Sequence, residues 1–370
     1  MLDLPIYLDH AATTLPDDAV IGAMTACMRA QPYNASAAYS AAGDARRIHR
    51  LARRRIAAML SCPPEYLYFT SGGTEANNWA VRAFSGKHMA VSAIEHHSVL
   101  TPARTLASRV SLVKPDSSGF VSPESVEAAL APDTRLVCLQ AANNETGVIQ
   151  PIREVYALCK ARHIHLHVDA VQAFGHIPLS AMHCDSMSLS AHKLYGPRGV
   201  GALYIRGGAS LPAMLLGGAQ ESGLRAGTEN TPAICGFDAA AQIADDDMLQ
   251  RMQRESELLQ TFIVRVKTSL PDCILLGEDR SRLPGICALY LPGISAESVI
   301  AALDLKGVMI AGGAACASRS GQPSHVYTAM GLSDKEAACV IRVSIGRHTT
   351  SEQLAYAADA LQAFIARQAR

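Results

Sequence analysis

The chain has 370 residues, 49% hydrophobic and 18% charged, a balance that suits a folded core and leaves no room for extensive disorder. Thirty-three basic residues offset thirty-three acidic ones, so there is no electrostatic footprint for nucleic acid or an anionic membrane. No apolar run approaches the ~20 residues of a membrane span, and Asp3 and Asp9 stand where a secretory signal needs a basic then apolar segment; the chain reads as cytoplasmic.

The length exceeds one core, so a large domain with a smaller companion is expected. Residues 6–8 are a short apolar run ending in Asp9, and a helix signal runs from Asp17 and Asp18 to Met28. Residues 33–43 are loop-like. Residues 46–60 have helical spacing, and their arginines (Arg46, Arg47, Arg50, Arg53, Arg54, Arg55) read as a solvated or subunit-facing surface. From residue 66 short apolar runs (66–69, 89–92, 110–113, 136–139, 164–168, 185–189) alternate with helical stretches, which argues for a mainly parallel, doubly wound sheet. A helical reading from Thr231 to about Leu270 is long enough to bridge two domains, and the alternation beyond it suggests a small α+β unit. The ten cysteines show no zinc or redox spacing and read mostly as small buried hydrophobes.

Chemistry gathers at the carboxyl ends of these strands, where open α/β sheets bind ligands. In SAHKLYGPRGVGALY (190–204), Lys193 suits a Schiff base with an aldehyde cofactor while Ser190 and His192 donate to a phosphate, which points to pyridoxal phosphate; a surface lysine ahead of a turn is the competing reading. In SGGTEANN (71–78), Gly73 and Thr74 open a helix whose N–H groups favour phosphate, although such turns also merely join strand to helix. Asp169 in HVDAVQA could hold a pyridine nitrogen protonated, and Gln172 could donate to a ring hydroxyl. His163, His165 and His167 alternate as a zinc pair would, but without a companion ligand at a recognised spacing. His96 in IEHHSV is placed to stack on a ring, shuttle a proton or cap the next helix, and Asn144 in NNETG to bond a ligand or make a turn.

Taken together and in order, DHAATT (9–14), GTEANN (73–78), EHHSV (95–99), NNETGVIQPI (143–152), HVDAVQ (167–172), HKLYGPRGVGALY (192–204), RAGTEN (225–230) and the segment around Cys316 resemble the cysteine desulfurases, in the aminotransferase class V group of pyridoxal phosphate enzymes. The resemblance implies a fold-type I transferase of α/β class, with a mainly parallel seven-stranded sheet in a large domain (13–250). A smaller α+β domain (1–12 and 251–370) would carry the catalytic cysteine loop. It implies that Lys193 binds the cofactor covalently, Asp169 pairs with the pyridine nitrogen, Gln172 contacts the ring oxygen and His96 stacks on the ring. Gly73, Thr74, Ser190 and His192 would hold the phosphate, with Thr228 reaching the phosphate of a neighbouring subunit in a homodimer. Asn144, Asn34 and Arg342 would bind substrate, Arg342 taking its carboxylate. Cys316, in AGGAACASRSGQPSHV (311–326), falls on the nucleophile.

The implied reaction converts L-cysteine to L-alanine and leaves sulfur as a persulfide on Cys316, for an acceptor such as an iron–sulfur assembly or thiolation protein. Two stretches depart from the family pattern: Asn34 is followed by Ala35, Ser36, Ala37, Ala38 and Tyr39, and Ala311, Gly312 and Ala314 replace serines. These bear on rate and partner choice. A selenocysteine lyase, a class V aminotransferase and a sulfur-relay subunit without turnover are the alternatives; alanine release from cysteine separates them.

Overall fold

The computed structural model describes residues 5–30, 33–207, 211–313 and 323–368. In chain order its elements are β1 (Ile6–Tyr7), α1 (Asp18–Ala30), α2 (Ala42–Met59), β2 (Leu67–Thr70), α3 (Gly73–Arg82), β3 (His88–Ser92), α4 (His97–Leu106), β4 (Arg109–Val113), α5 (Pro123–Ala129), β5 (Thr134–Cys138), α6 (Ile152–Ala161), β6 (His165–Asp169), β7 (Ser186–Ser190) and β8 (Gly201–Ile205). After the 39-residue α7 (Thr231–Ser269) come β9 (Ile274–Leu275), β10 (Ile286–Tyr290), α8 (Ala296–Asp304), β11 (Val308–Met309), α9 (His325–Ala329), α10 (Asp334–Ala337), β12 (Val340–Ser344) and α11 (Ser351–Gln368).

Seven strands form one sheet in the order β2-β8-β7-β6-β5-β3-β4, parallel except for β8, which runs antiparallel to both neighbours. β7, β8 and β3 are buried at every position, as strands covered on both faces must be. β8 is a strand that the apolar runs of the sequence did not include: Gly201 starts it where an added Cβ would run into the Leu189 carbonyl and the Gly72 backbone.

One core lies around this sheet, and Ala233, Ile234, Phe237, Ala240, Ala241 and Ala244 of α7 join it. A second core gathers Ile6, Leu8, the later α7 residues Leu259, Phe262, Ile263 and Val266, and residues from β9 to α11. It rests on the antiparallel β12-β10-β9 sheet and the parallel β1-β11 pair. The arginines of α2 do not all face solvent. Arg53 makes a forked pair with Glu221 (2.7 and 2.9 Å) and lies over the Phe69 ring, and Arg55 reaches Asp238 at 2.6 Å. No helix of the described residues is long and apolar enough to cross a membrane.

Candidate active site

The carboxyl ends of β2, β6 and β7 open onto a cavity of about 470 Å³ lined by Gly73, Thr74, His96, Asn144, Asp169, Gln172, Ser190, His192, Lys193 and Arg342, together with Ala11, Ala12 and Thr13. These positions follow from the topology, because parallel strands deliver all their carboxyl ends to one rim.

At one end, α3 begins at Gly73 with no side-chain cap, so its first N–H groups and the positive end of its dipole face the cavity. Gly73 is required there by packing: an added Cβ would stand 2.5 Å from Val171 Cγ2. Ser190 ends β7, and the single helical turn Ala191–Lys193 follows it. This turn is pinned to the N-terminal segment: Thr14 N donates to the His192 carbonyl (3.0 Å), His192 Nδ1 meets Thr13 Oγ1 (3.1 Å), and Lys193 Nζ donates to the Ala11 (2.5 Å) and Ala12 (2.9 Å) carbonyls. Burial pushes the His192 pKa down to about 4, leaving a neutral ring at neutral pH.

Asp169 ends β6 and is nearly buried. Its Oδ1 accepts from Val171 N (2.9 Å) and its Oδ2 from Asn77 Nδ2 (2.7 Å). Asn77 was not singled out from the sequence, yet it orients the whole group: with Nδ2 donating to Asp169, its Oδ1 can only accept, so His167 Nε2 donates to it (3.0 Å). Burial and the neighbouring His165 hold His167 neutral, with a pKa near 3. The position of Asn77 one helical turn after Gly73 is the signal that could have found it. Gln172 is buried, and its amide oxygen finds no partner among the described residues. His96 both lines the cavity and caps α4, its Nδ1 accepting from Ser98 N at 3.0 Å; burial lowers its pKa.

Arg342 enters from β12. It is 1% exposed, with Nη2 on Asp9 Oδ1 (2.6 Å) and Nη1 donating to the Asn144 carbonyl (3.0 Å), while Nε is unpartnered among the described residues. Two expected residues lie apart from the cavity. Asn34 is exposed, its Oδ1 accepting from Ser36 N, and Thr228 is exposed beyond Gly227. Cys316 lies outside the described residues. Of the three alternating histidines, His163 sits in a turn with φ of 53°, and His165 Nε2 and His167 Nδ1 both meet Ser186 Oγ at 2.9 Å. No group of three potential ligands occurs among the described residues.

The arrangement can take an anion at α3, hydrogen-bond a protonated ring nitrogen at Asp169, offer an amine at Lys193 and bind a carboxylate at Arg342. Comparison with known proteins points the same way. The family model described as aminotransferase class-V matches residues 6–356. A cysteine desulfurase IscS of Dictyoglomus turgidum is 39% identical over 97% of this chain and 94% of its own. Among solved structures, a NifS-like protein from Rickettsia africae superposes with a TM-score of 0.91 at 29% identity, covering 98% of this chain and all of that one. A structure titled "SspA in complex with cysteine" superposes with a TM-score of 0.83 at 31% identity, covering 93% of this chain and all of that one.

Proposed function

Because the chain belongs to the aminotransferase class-V family, we propose that its cavity is a pyridoxal phosphate site and assign the roles of its residues accordingly. The protein is a pyridoxal phosphate-dependent cysteine desulfurase with an α/β fold, converting L-cysteine to L-alanine with transfer of the sulfur. The residues present fit the cofactor: an uncapped helix N-terminus suits its phosphate, the side-chain N–H of Gln172, a residue that lines the cavity, can donate to its ring oxygen, and Asp169 suits its ring nitrogen. When bound, pyridoxal phosphate supplies an electron-accepting ring that labilises bonds at the substrate α-carbon.

Around it, the chain's own groups divide the work. Lys193 supplies the anchoring amine and, once released, a base for the α-proton. Asn77 and Val171 N hold Asp169 in place, and neutral His96 lines the same cavity, where it would cover the ring. Arg342 presents a guanidinium to the substrate carboxylate, already oriented by Asp9 and the Asn144 carbonyl. The Cys316 thiolate then attacks the substrate sulfur: an S–S bond forms, the C–S bond breaks, and its electron pair stays with the carbon skeleton, which takes up a proton and leaves as alanine.

The finer assignments are part of the same proposal. Residues 13–250 form the cofactor domain, with 1–12 and 251–370 as the small domain. Thr228, exposed and away from its own cavity, serves the second subunit of a homodimer, and a cytoplasmic sulfur-acceptor protein receives the persulfide. The observation that carries the reading is the convergence of Lys193, Asp169, Gln172 and Arg342 on one cavity. Its test is incubation with L-cysteine and reductant, measuring alanine and sulfide together. Wild-type protein should gain one sulfur on the Cys316 peptide; Cys316→Ala should keep its cofactor but release no stoichiometric alanine, and Lys193→Ala should lose both cofactor linkage and turnover. Normal turnover by Cys316→Ala would refute the role of that thiol.

A further inference from the structure

The described residues stop at Gly313 and resume at Pro323, and the two sides meet at one buried carboxyl group. Glu145, in the turn after β5, is 1% exposed, and its Oε2 accepts from Ser324 Oγ at 2.6 Å. Gly313, at φ +81°, packs against the same oxygen so closely that an added Cβ would lie 3.0 Å from Oε2 and 3.1 Å from Ser324 Cβ. The turn itself is rigid, since Asn143 Oδ1 accepts from both Glu145 N (2.9 Å) and Thr146 N (2.8 Å). It also serves the cavity through the Asn144 carbonyl on Arg342, and the Arg342 backbone in turn holds Ala311 (N to Ala311 O, 2.6 Å). A single turn therefore holds the substrate-binding arginine and also contacts Gly313 and Ser324, which flank the segment that contains Cys316 in the sequence.

We propose that Glu145 is a positioning residue for sulfur transfer: by holding Ser324 against Gly313 it fixes the residues that flank the Cys316 segment on both sides in sequence, and the transfer step depends on that clamp. This rests on Cys316 being the nucleophile. The group never touches substrate on this account. Its larger effect falls on the step that needs the thiol, because the Glu145 side chain contacts Ser324 and Gly313, whereas Arg342 is held by Asp9 and by the backbone carbonyl of Asn144.

The test is single turnover of the cofactor-loaded enzyme with L-cysteine. Two quantities are followed: the half-saturation of the cofactor absorbance change, and the rate at which sulfur appears on the Cys316 peptide by mass spectrometry. Glu145→Ala and Ser324→Ala should slow sulfur transfer about ten- to a hundredfold, the scale of a misplaced reacting group. The half-saturation should stay within about twofold. Ser324→Thr, which keeps the donor, and Glu145→Gln, which keeps an acceptor, should restore most of the rate. Wild-type transfer rates in both alanine variants would overturn the inference, as would parallel loss of both quantities with no rescue by Thr or Gln. Sulfur on a different cysteine in the wild-type enzyme would instead overturn the assignment of Cys316, and the inference with it.

Discussion

Arg342 shows what the site demands of a single side chain. It is almost wholly buried, yet two of its nitrogens are already committed to Asp9 and to a backbone carbonyl, which leaves one edge of a fixed fork for a ligand. A lysine carries the charge but not the fork, and cannot keep two protein contacts while facing a carboxylate. Arg342→Lys is therefore expected to raise KM for L-cysteine by about tenfold or more, on the scale of one lost charge-assisted hydrogen bond, with a smaller change in kcat. An unchanged KM would remove Arg342 from substrate binding. Asp9, its partner, was visible in the sequence only as the end of an apolar run, because nothing local reveals a pairing between residues so far apart along the chain.

Among elements, β8 is the antiparallel strand that joins β2 to β7. Gly201 leaves no space for a Cβ beside the Leu189 carbonyl and the Gly72 backbone, so Gly201→Ala must push β8 from β7 or shift the turn ahead of α3. It should cost about 1–3 kcal/mol of stability, the usual price of overpacking, and weaken cofactor retention, both measurable by denaturant unfolding and absorbance. Wild-type stability would show that the turn yields freely. The other strands were legible because their apolar runs are bounded by helical periodicity; β8 was hidden by Gly199 and Gly201, which look like turn residues out of context. The strand-end residues of the site were legible for a physical reason, since parallel topology converts scattered motifs into one rim. Harder to read were the residues that orient them: Asn77 is signalled only by its place one turn after Gly73, and Glu145 by nothing local, because its partner Ser324 is set by packing. Equally hidden was the inward turn of Arg53, because helical spacing alone does not reveal Glu221.

At the scale of the whole molecule, burial makes stability depend on pH in opposite directions. Burial holds His10 and His192 near a pKa of 4, and His167 and His176 near 3, all below the ordinary value of 6.5. Such groups stabilise fully above pH 6.5 and lose that contribution as pH falls, each by about 1.4 kcal/mol per pH unit, because the unfolded chain takes the protons first. Glu255 on α7 is the reverse case: burial pushes its pKa up to about 7, so its contribution is full below about 4.5 and disappears as pH rises towards 7. Burial lowers the His165 pKa to about 4 as well, and raises those of the Glu95 and Glu145 carboxyls as it does that of Glu255, so five histidines outweigh three carboxyls. The urea midpoint should therefore fall between pH 6.5 and 4.5, and Glu255→Gln should make that fall steeper. A flat profile would mean that these rings are hydrated in the folded state.

The strap from Ile6 to Thr14 has a consequence for biosynthesis. It packs Ile6 and Leu8 in the second core, ties Asp9 to Arg342, lends two carbonyls to Lys193 and reaches His192. Asp9 leaves the ribosome 333 residues ahead of Arg342, a delay of roughly 20–70 s at ordinary translation rates. Once residues 192 and 193 have been made the strap can meet His192 and Lys193, but Arg342 is still missing, so a nascent chain lacks the arginine wall of the cavity until synthesis is almost over. A cavity closed by Arg342 is thus a marker of a nearly finished chain, and the longest-range contacts in the molecule are the last to form.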